Sequence, residues 1–239
     1  ESLIKRITAT TNTPFTLAIV GGGAAGVELA FAANAALKKI NPSNSTVLVC
    51  GTQRLLSGFT CAARAKAQHA LVKQGITLAL GRAAQTQYGL ILCDGKAINA
   101  DAVLCATGAK SADWLAHSHL ALDEHGYIQV DAYHRSISHA SVFAAGDTCS
   151  RTDFPLKRSG VHAVRAGPIL ADNLVAILDN RHKLLKPFLP RRYSLFLLAS
   201  GSKSAIGSWG PFTVAGRWVW RWKDSINRRF IHSFSYDDE

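Results

Sequence analysis

A chain of 239 residues, 48% hydrophobic and 18% charged, has enough apolar material for one or two domains with real cores and excludes global disorder. Lys and Arg outnumber Asp and Glu by 27 to 16, a net charge of +11 that calls for an anionic partner. Nucleic acid, an anionic membrane surface and an anionic cofactor all meet that condition.

Residues 1–13 contain the turn-rich TATTNTP and read as a helix end and linker. Phe15 to Val20 is a continuous apolar run, the pattern of a strand buried on both faces. Gly21 to Gly23 break it. A helix is predicted from Ala24 to Ile40, with Val27, Phe31 and Leu37 on one face, Lys38 and Lys39 in the last turn, and Asn41-Pro42 as the stop. Thr46 to Cys50 is a second strand, Cys61 to Gln74 a second helix, and Ile76 to Leu80 a third strand. Leu90 to Cys93, Asp94-Gly95 and Lys96 to Asn99 form a hairpin pattern. Short strands follow at Ala102 to Ala106, Ile128 to Val130 and Val142 to Ala145. Gly160 to Leu178 reads as a helix in which Pro168 marks an early turn or kink. Arg181 to Arg192 is a basic linker, residues 193–216 are strands separated by Gly/Ser turns, and 217–232 is an aromatic, basic helix.

The five cysteines, Cys50, Cys61, Cys93, Cys105 and Cys149, form no CxxC. That argues against a zinc knuckle or a dithiol pair and makes a reducing, cytoplasmic setting the simplest expectation. No signal peptide and no apolar run long enough to span a bilayer are recognised. The nine histidines show no metal-ligand spacing, and His117 and His119 are expected at the surface. The chain starts at Glu1 and contains no methionine, which points to a piece of a longer protein.

Gly21-x-Gly23-x-x-Gly26 carries the clearest chemistry. Between a buried strand and a helix, the first glycine permits the tight turn, the second lets the backbone approach a pyrophosphate, and the third lets helix and strand pack closely. With Gly22, Ala24 and Ala25 these residues form the expected dinucleotide cradle at a helix N-terminus. The carboxylate that ordinarily bonds the adenine ribose is missing: Cys50 occupies its place, and Arg54 follows. Arg54 is either a partner for a 2′-phosphate, favouring NADP over NAD, or a solvated loop residue.

In that order, VGGGAAGVELA, VLCATGAK (residues 103–110) and VFAAGDT (residues 142–148) resemble the pyridine nucleotide-disulfide oxidoreductase superfamily, flavoproteins built of two dinucleotide folds. The resemblance implies an α/β, Rossmann-like FAD/NAD(P)-binding fold: an NAD(P)H domain at 14–125, the C-terminal part of an FAD domain at 126–180, and an α+β portion at 181–239. It implies that Gly21, Gly23 and Gly26 serve NAD(P)H, that Gly108 closes the NAD domain, and that Gly146-Asp147 presents a carboxylate to the FAD ribityl chain. Glu28 would lie where nicotinamide and flavin meet; its alternative is an ordinary acid favoured by the helix dipole. The lack of CxxC favours the type II NADH-dehydrogenase-like branch, with hydride passing to flavin and on to a quinone or other small acceptor. SGVHAVRAGPILADNL and GRWVWRWKDSINRRF resemble the flavoproteins fused to selenide, water dikinase, which makes a fused or partner kinase an expectation. This chain has one GxGxxG, the nicotinamide one by order. FAD, the cofactor of the parent protein, is therefore not expected to be held tightly, and the chain alone is not expected to turn over. The rival reading is a nucleotide-binding, non-catalytic module that scaffolds a fused or partner enzyme.

Trp218, Trp222, Ile226 and Phe230 follow helical i, i+4 spacing, flanked by Arg217, Arg221, Lys223, Arg228 and Arg229. Such a stripe packs on the protein body, lies on an anionic membrane at the inner face, or docks a partner domain. Nucleic acid is not expected, because no recognition fold accompanies the charge.

Overall fold

Strand β1 (Thr16–Val20) leads through the glycine turn into helix α1 (Ala24–Ile40), strand β2 (Ser45–Cys50), helix α2 (Cys61–Lys73) and strand β3 (Thr77–Leu80). An antiparallel excursion follows, β4 (Ala83–Thr86), β5 (Gly89–Leu92) and β6 (Ala97–Asn99), before β7 (Ala102–Cys105) returns to the first sheet. That sheet is parallel, in the order β3-β2-β1-β7, with Ile19 opposite Leu48 and Leu104. The computed structural model describes residues 13–51, 54–156 and 159–234.

Both faces of the parallel sheet are covered, which is why β1 reads as an unbroken apolar run. Leu17 and Ile19 pack with Val27, Phe31 and Leu37 of α1 and with Ala63, Ala67 and Leu71 of α2. Ala18 and Val49 pack on the other face with Leu90, Leu92 and Ile98 of the antiparallel sheet. The Thr60 hydroxyl caps α2 by accepting from the Ala63 N–H at 3.1 Å.

The chain separates into two compact units, one of the described residues up to Gly108 together with those from Leu195 onward, the other Ala109–Ser194. These boundaries differ from the breaks expected after residues 125 and 180. The C-terminal segment belongs with the glycine-turn unit. There it forms the antiparallel sheet β10 (Leu195–Ala199), β11 (Ala205–Trp209) and β12 (Phe212–Gly216), followed by helix α4 (Arg217–His232). Leu198 and Ile206 join the core of β1 and α1, and Gln74 at the end of α2 donates to the Ser200 carbonyl at 2.7 Å.

The second unit carries β8 (Ile128–Val130), β9 (Cys149–Arg151) and helix α3 (Gly160–Leu178), around a core of Leu115, Ile128, Val130, Ala144 and Cys149. Strand β9 pairs in parallel with β8, and neither β9 nor the exposed edge strand β4 was expected. Both are short and lack the apolar alternation that announces a strand. Val142 to Ala145, expected as a strand, forms only an isolated bridge at Phe143 to Arg135. That bridge consists of two hydrogen bonds, from the Ala144 N–H to the His134 carbonyl and from the Ser136 N–H to the Val142 carbonyl, and the pairing goes no further.

Helix α3 is helical on both sides of Pro168, and by length and composition it meets the requirement for crossing a membrane, contrary to the sequence expectation. Asn173, fully buried on α3, ties it into the second unit: its amide donates to the Tyr133 and Lys186 carbonyls and its oxygen accepts from the Lys186 N–H.

Candidate functional site

The glycine turn lies at the carboxyl ends of β1, β2 and β7, and each glycine meets a different neighbour. A Cβ on Gly21, whose φ is +142°, would fall 2.2 Å from the Ala106 carbonyl oxygen. One on Gly26 would fall 1.9 Å from the Gly21 carbonyl oxygen, so α1 can approach β1 only without a side chain there. One on Gly22 would strike the Cys50 Sγ at 2.1 Å. A Cβ on Gly23 meets nothing within 4 Å. The turn is therefore walled by protein at three glycines and open at the fourth, where the motif requires a pyrophosphate to approach.

Gly23 is the N-cap of α1, no side chain caps that end, and no acid lies in its first turn. Ala24 and Ala25 are exposed. The first-turn N–H groups and the positive end of the helix dipole thus face outward beside the open glycine, the arrangement that favours an anion. These residues fit a dinucleotide phosphate.

Around the cradle, Cys50 is buried at the end of β2, and its thiol donates to the Arg54 carbonyl at 3.6 Å. Beyond it an open cavity of about 310 Å³ is lined by Arg54, Leu55, Arg64, Gln68, Leu78 and Leu80. Gly108, with φ +101°, ends the first unit two residues after Ala106, whose N–H donates to the Val20 carbonyl at 2.7 Å.

Glu28 is the fifth residue of α1, beyond its first turn. Its Oε1 accepts from the Ala199 N–H at 2.6 Å and from the Lys223 Nζ at 2.6 Å. Lys223 also donates to the Leu197 carbonyl at 2.9 Å. Both side chains are largely shielded, at 32% and 23% exposure, so this pair joins the glycine-turn helix to β10 and α4. Sequence reasoning did not find the clasp: its partners are separated by 195 residues.

The second unit contains the other expected site residues. Gly146, with φ +72°, begins a single 3-10 turn, Gly146–Thr148, that places Asp147 in solvent. A Cβ on Gly146 would lie 3.3 Å from the Ala163 Cβ of α3, whose N-terminus is capped by Ser159. An exposed carboxylate on a tight turn fits the hydroxyls of a ribityl chain. The fit to a whole FAD is partial, since this sequence has a single GxGxxG.

Beneath this turn are two polar residues that sequence reasoning also missed. The buried Arg151 guanidinium donates to both Asp153 carboxylate oxygens at 2.7 Å and to the Phe188 carbonyl at 3.0 Å, holding the Asp153 carboxyl below its ordinary range. His134 is buried against the Phe188 ring, and burial, with Arg151 adding to it, holds its imidazole below the ordinary histidine range. Such residues carry no motif and become visible only when the turn closes over them. His117 and His119 are exposed, and among the described residues no group of three His, Cys, Asp or Glu side chains could hold a metal ion.

Helix α4 buries only Val219 and leaves Trp218 and Trp222 at 56% and 41% exposure, stacked on each other at 6.4 Å. Ile226, Phe230, Trp209 and Phe212 are exposed too. Packing of this stripe on the protein body is therefore corrected: it faces solvent. Val219 and the half-buried Trp220, Lys223, Asp224 and Ser225 form the inward side of the helix, opposite the exposed aromatic face.

A family model described as pyridine nucleotide-disulphide oxidoreductase matches residues 5–167. No curated protein sequence matches the chain. Among solved structures it is similar to NDH2 from Plasmodium falciparum in complex with NADH, at 12% identity and a TM-score of 0.74, covering 93% of this chain and 63% of that one. A ferredoxin reductase from Rhodopseudomonas palustris aligns at 20% identity and a TM-score of 0.65, over 86% of this chain and 49% of its own. An NAD-dependent persulfide reductase from A. fulgidus aligns at 20% identity and a TM-score of 0.64, over 87% and 37%. The chain thus spans between about a third and two thirds of the length of these relatives. At such identities the likeness concerns the fold, an α/β Rossmann-like FAD/NAD(P)-binding fold with small antiparallel sheets added.

Proposed function

The chain belongs to the pyridine nucleotide-disulphide oxidoreductase family, and on that premise we propose that it is the nicotinamide-binding part of an NAD(P)H-dependent flavin oxidoreductase. One observation carries this reading: the turn is closed by protein at Gly21, Gly22 and Gly26 and open at Gly23, beside uncapped helix N–H groups. Nicotinamide and flavin, when bound, supply the chemistry, a hydride passing from one to the other and the electron pair leaving to a quinone or another small acceptor. The chain's own residues bind and orient. Gly21 to Gly26 seat the diphosphate, Gly108 lets the chain leave the sheet, and Asp147 offers its carboxylate to flavin hydroxyls. Titration of the purified chain with NADH and NADPH tests the reading; failure of both to bind would overturn it.

The adenosine end favours NADPH. Cys50 cannot accept ribose hydroxyl protons as a carboxylate does, whereas Arg54 and Arg64 line the adjoining cavity with donors suited to a 2′-phosphate. Replacing both arginines by Gln is expected to erase a preference for NADPH while leaving NADH affinity within about threefold, each lost charged hydrogen bond costing about 1.5–3 kcal/mol. Equal affinities in the unmodified chain would refute this selectivity.

A non-catalytic nucleotide-binding module is the second reading. The observation favouring it is Glu28, whose carboxylate is engaged by Lys223 and Ala199 and not held free for chemistry. Oxidation of NADH or NADPH by the flavin-loaded full-length protein would exclude it. The expected fusion to selenide, water dikinase has no counterpart in the comparisons and carries no part of this function. Location at an anionic membrane surface is supported by the exposed tryptophans of α4 and their basic flank.

A further inference from the structure

His134 occupies an uncomfortable place. Its side chain is buried, at 2% exposure, and its φ is +63°, a left-handed backbone uncommon outside glycine, in which Asn, Asp and His are the most frequent exceptions. Asp131 imposes that turn: its Oδ1 accepts from the N–H groups of Tyr133 and Arg135 at 2.9 and 3.0 Å, and its carbonyl accepts from the His134 N–H at 3.1 Å. Bent in this way, His134 meets Ala144 twice. Its carbonyl accepts from the Ala144 N–H at 3.0 Å, and its Nδ1 lies 3.0 Å from the Ala144 carbonyl oxygen.

A carbonyl only accepts, so Nδ1 must carry the proton and Nε2 the lone pair. That Nε2 is buried and has no partner among the described residues. The ring lines a cavity of about 20 Å³ with Gly146, Cys149, Arg151, Ser159 and His162. The volume suffices for one water molecule; Leu156, Ala166 and Phe188 make much of the lining apolar, and the Nε2 lone pair is the acceptor that such a water would meet. Two residues separate Ala144 from Asp147, and their carbonyls accept from the Thr148 hydroxyl at 3.2 Å and the Cys149 thiol at 3.5 Å, closing the turn directly after Ala144. A shift of Ala144 moves the start of the turn that carries the carboxylate.

We propose that His134 is the positioning residue of the Gly146–Asp147 turn, gripping both backbone groups of Ala144 as the neutral Nδ1–H tautomer with one ordered water on Nε2. The charged groups around it are Arg151, Asp131 and Asp153, with His162 across the cavity. Each Arg151 guanidinium nitrogen already donates one hydrogen bond, to Asp153 or Phe188, and its positive charge opposes a second one on His134. Neutral His134 keeps the grip; protonation would place an unpaired charge on Nε2. The consequence for a flavin rests on the proposed role of Asp147, but the grip itself does not.

The test compares three substitutions in the full chain. His134→Asn places an amide N–H where Nδ1 stands and tolerates the left-handed backbone. His134→Gln carries its donor out toward Nε2, and His134→Ala has none. Amide hydrogen exchange over residues 144–149 is expected to rise at least about tenfold in the Ala and Gln variants and to stay within about threefold in the Asn variant, with α4 in the other unit unchanged as a control. Side-chain nitrogen NMR is expected to show the Nδ1–H form at neutral pH, persisting to lower pH than in an ordinary histidine. Unchanged exchange in the Gln variant, or an Nε2–H tautomer, would overturn the proposal; if the Ala variant does not fold, the Asn and Gln pair decides. FAD affinity is measured in parallel. Faster exchange with unaltered affinity would leave His134 in its role and remove Asp147 from flavin binding.

Discussion

Gly23→Ala and Gly26→Ala separate nucleotide binding from folding within one motif. A methyl on Gly26 must be accommodated 1.9 Å from a backbone oxygen, and no rotamer change can relieve it, so α1 has to move off β1. Overpacking of this kind costs about 3 kcal/mol or more, which lowers Tm by about 6–12 °C for a chain of this size. A methyl on Gly23 meets no protein atom within 4 Å, and the residue's φ of −80° suits alanine. Alanine is a poorer N-cap than glycine, but it restricts the unfolded chain more, and the two effects leave stability within about 0.5 kcal/mol. The same methyl occupies the approach of a diphosphate. If two charge-assisted hydrogen bonds from first-turn N–H groups are lost, at about 1.5 kcal/mol each, affinity falls about a hundredfold. Thermal melts followed by circular dichroism, with calorimetric titration by NADH and NADPH, read both quantities. A Gly23→Ala chain that binds either nucleotide within about threefold of the unmodified one would refute the cradle. A Gly26→Ala chain with unaltered Tm would refute the packing argument.

Three further outcomes are expected. Lys223→Met leaves Glu28 with only the Ala199 N–H, and urea unfolding of the first unit should show a loss of about 1–2 kcal/mol; an unchanged midpoint would reduce the clasp to a surface pair. His134, held below the ordinary histidine range, binds a proton more readily unfolded than folded, so stability is full above about pH 6.5 and falls with acidification through the folded value, by at most about 1.4 kcal/mol per pH unit. Urea midpoints measured across this range should lose the slope in His134→Asn, and a slope that survives would assign it elsewhere. Replacing Trp218 and Trp222 by Ser should change stability by less than about 0.5 kcal/mol, since both rings are solvent-facing, yet abolish co-sedimentation with anionic vesicles. If the unmodified chain does not pellet with those vesicles, the membrane reading ends.

Local chemistry was legible where the chain itself supplies the partners. Helix α1 begins after the glycines and ends at Asn41 as its stop signals require, and α3 and α4 span the expected residues. The buried strand β1 announced itself by an unbroken apolar run, because a strand covered on both faces has no polar side to show, and the apolar residues of β2 and of the half-buried β7 were legible beside it. Short or edge strands such as β4 and β9 carry too little apolar surface to leave a pattern. Val142 to Ala145 had the pattern, but its pairing with residues 134–136 stops after a single bridge.

By itself the sequence determined the strand–glycine–helix cradle and the family, since a turn without side chains and a helix N–H array are properties of neighbouring residues. Tertiary structure alone decided which residues surround that cradle. The return of β10 and α4 to the first unit, the capture of Glu28 by Lys223 and the solvent-facing tryptophans all depend on contacts between segments far apart in the chain. Burial and hydrogen bonding reward such contacts only once the chain has closed, so no local pattern encodes them.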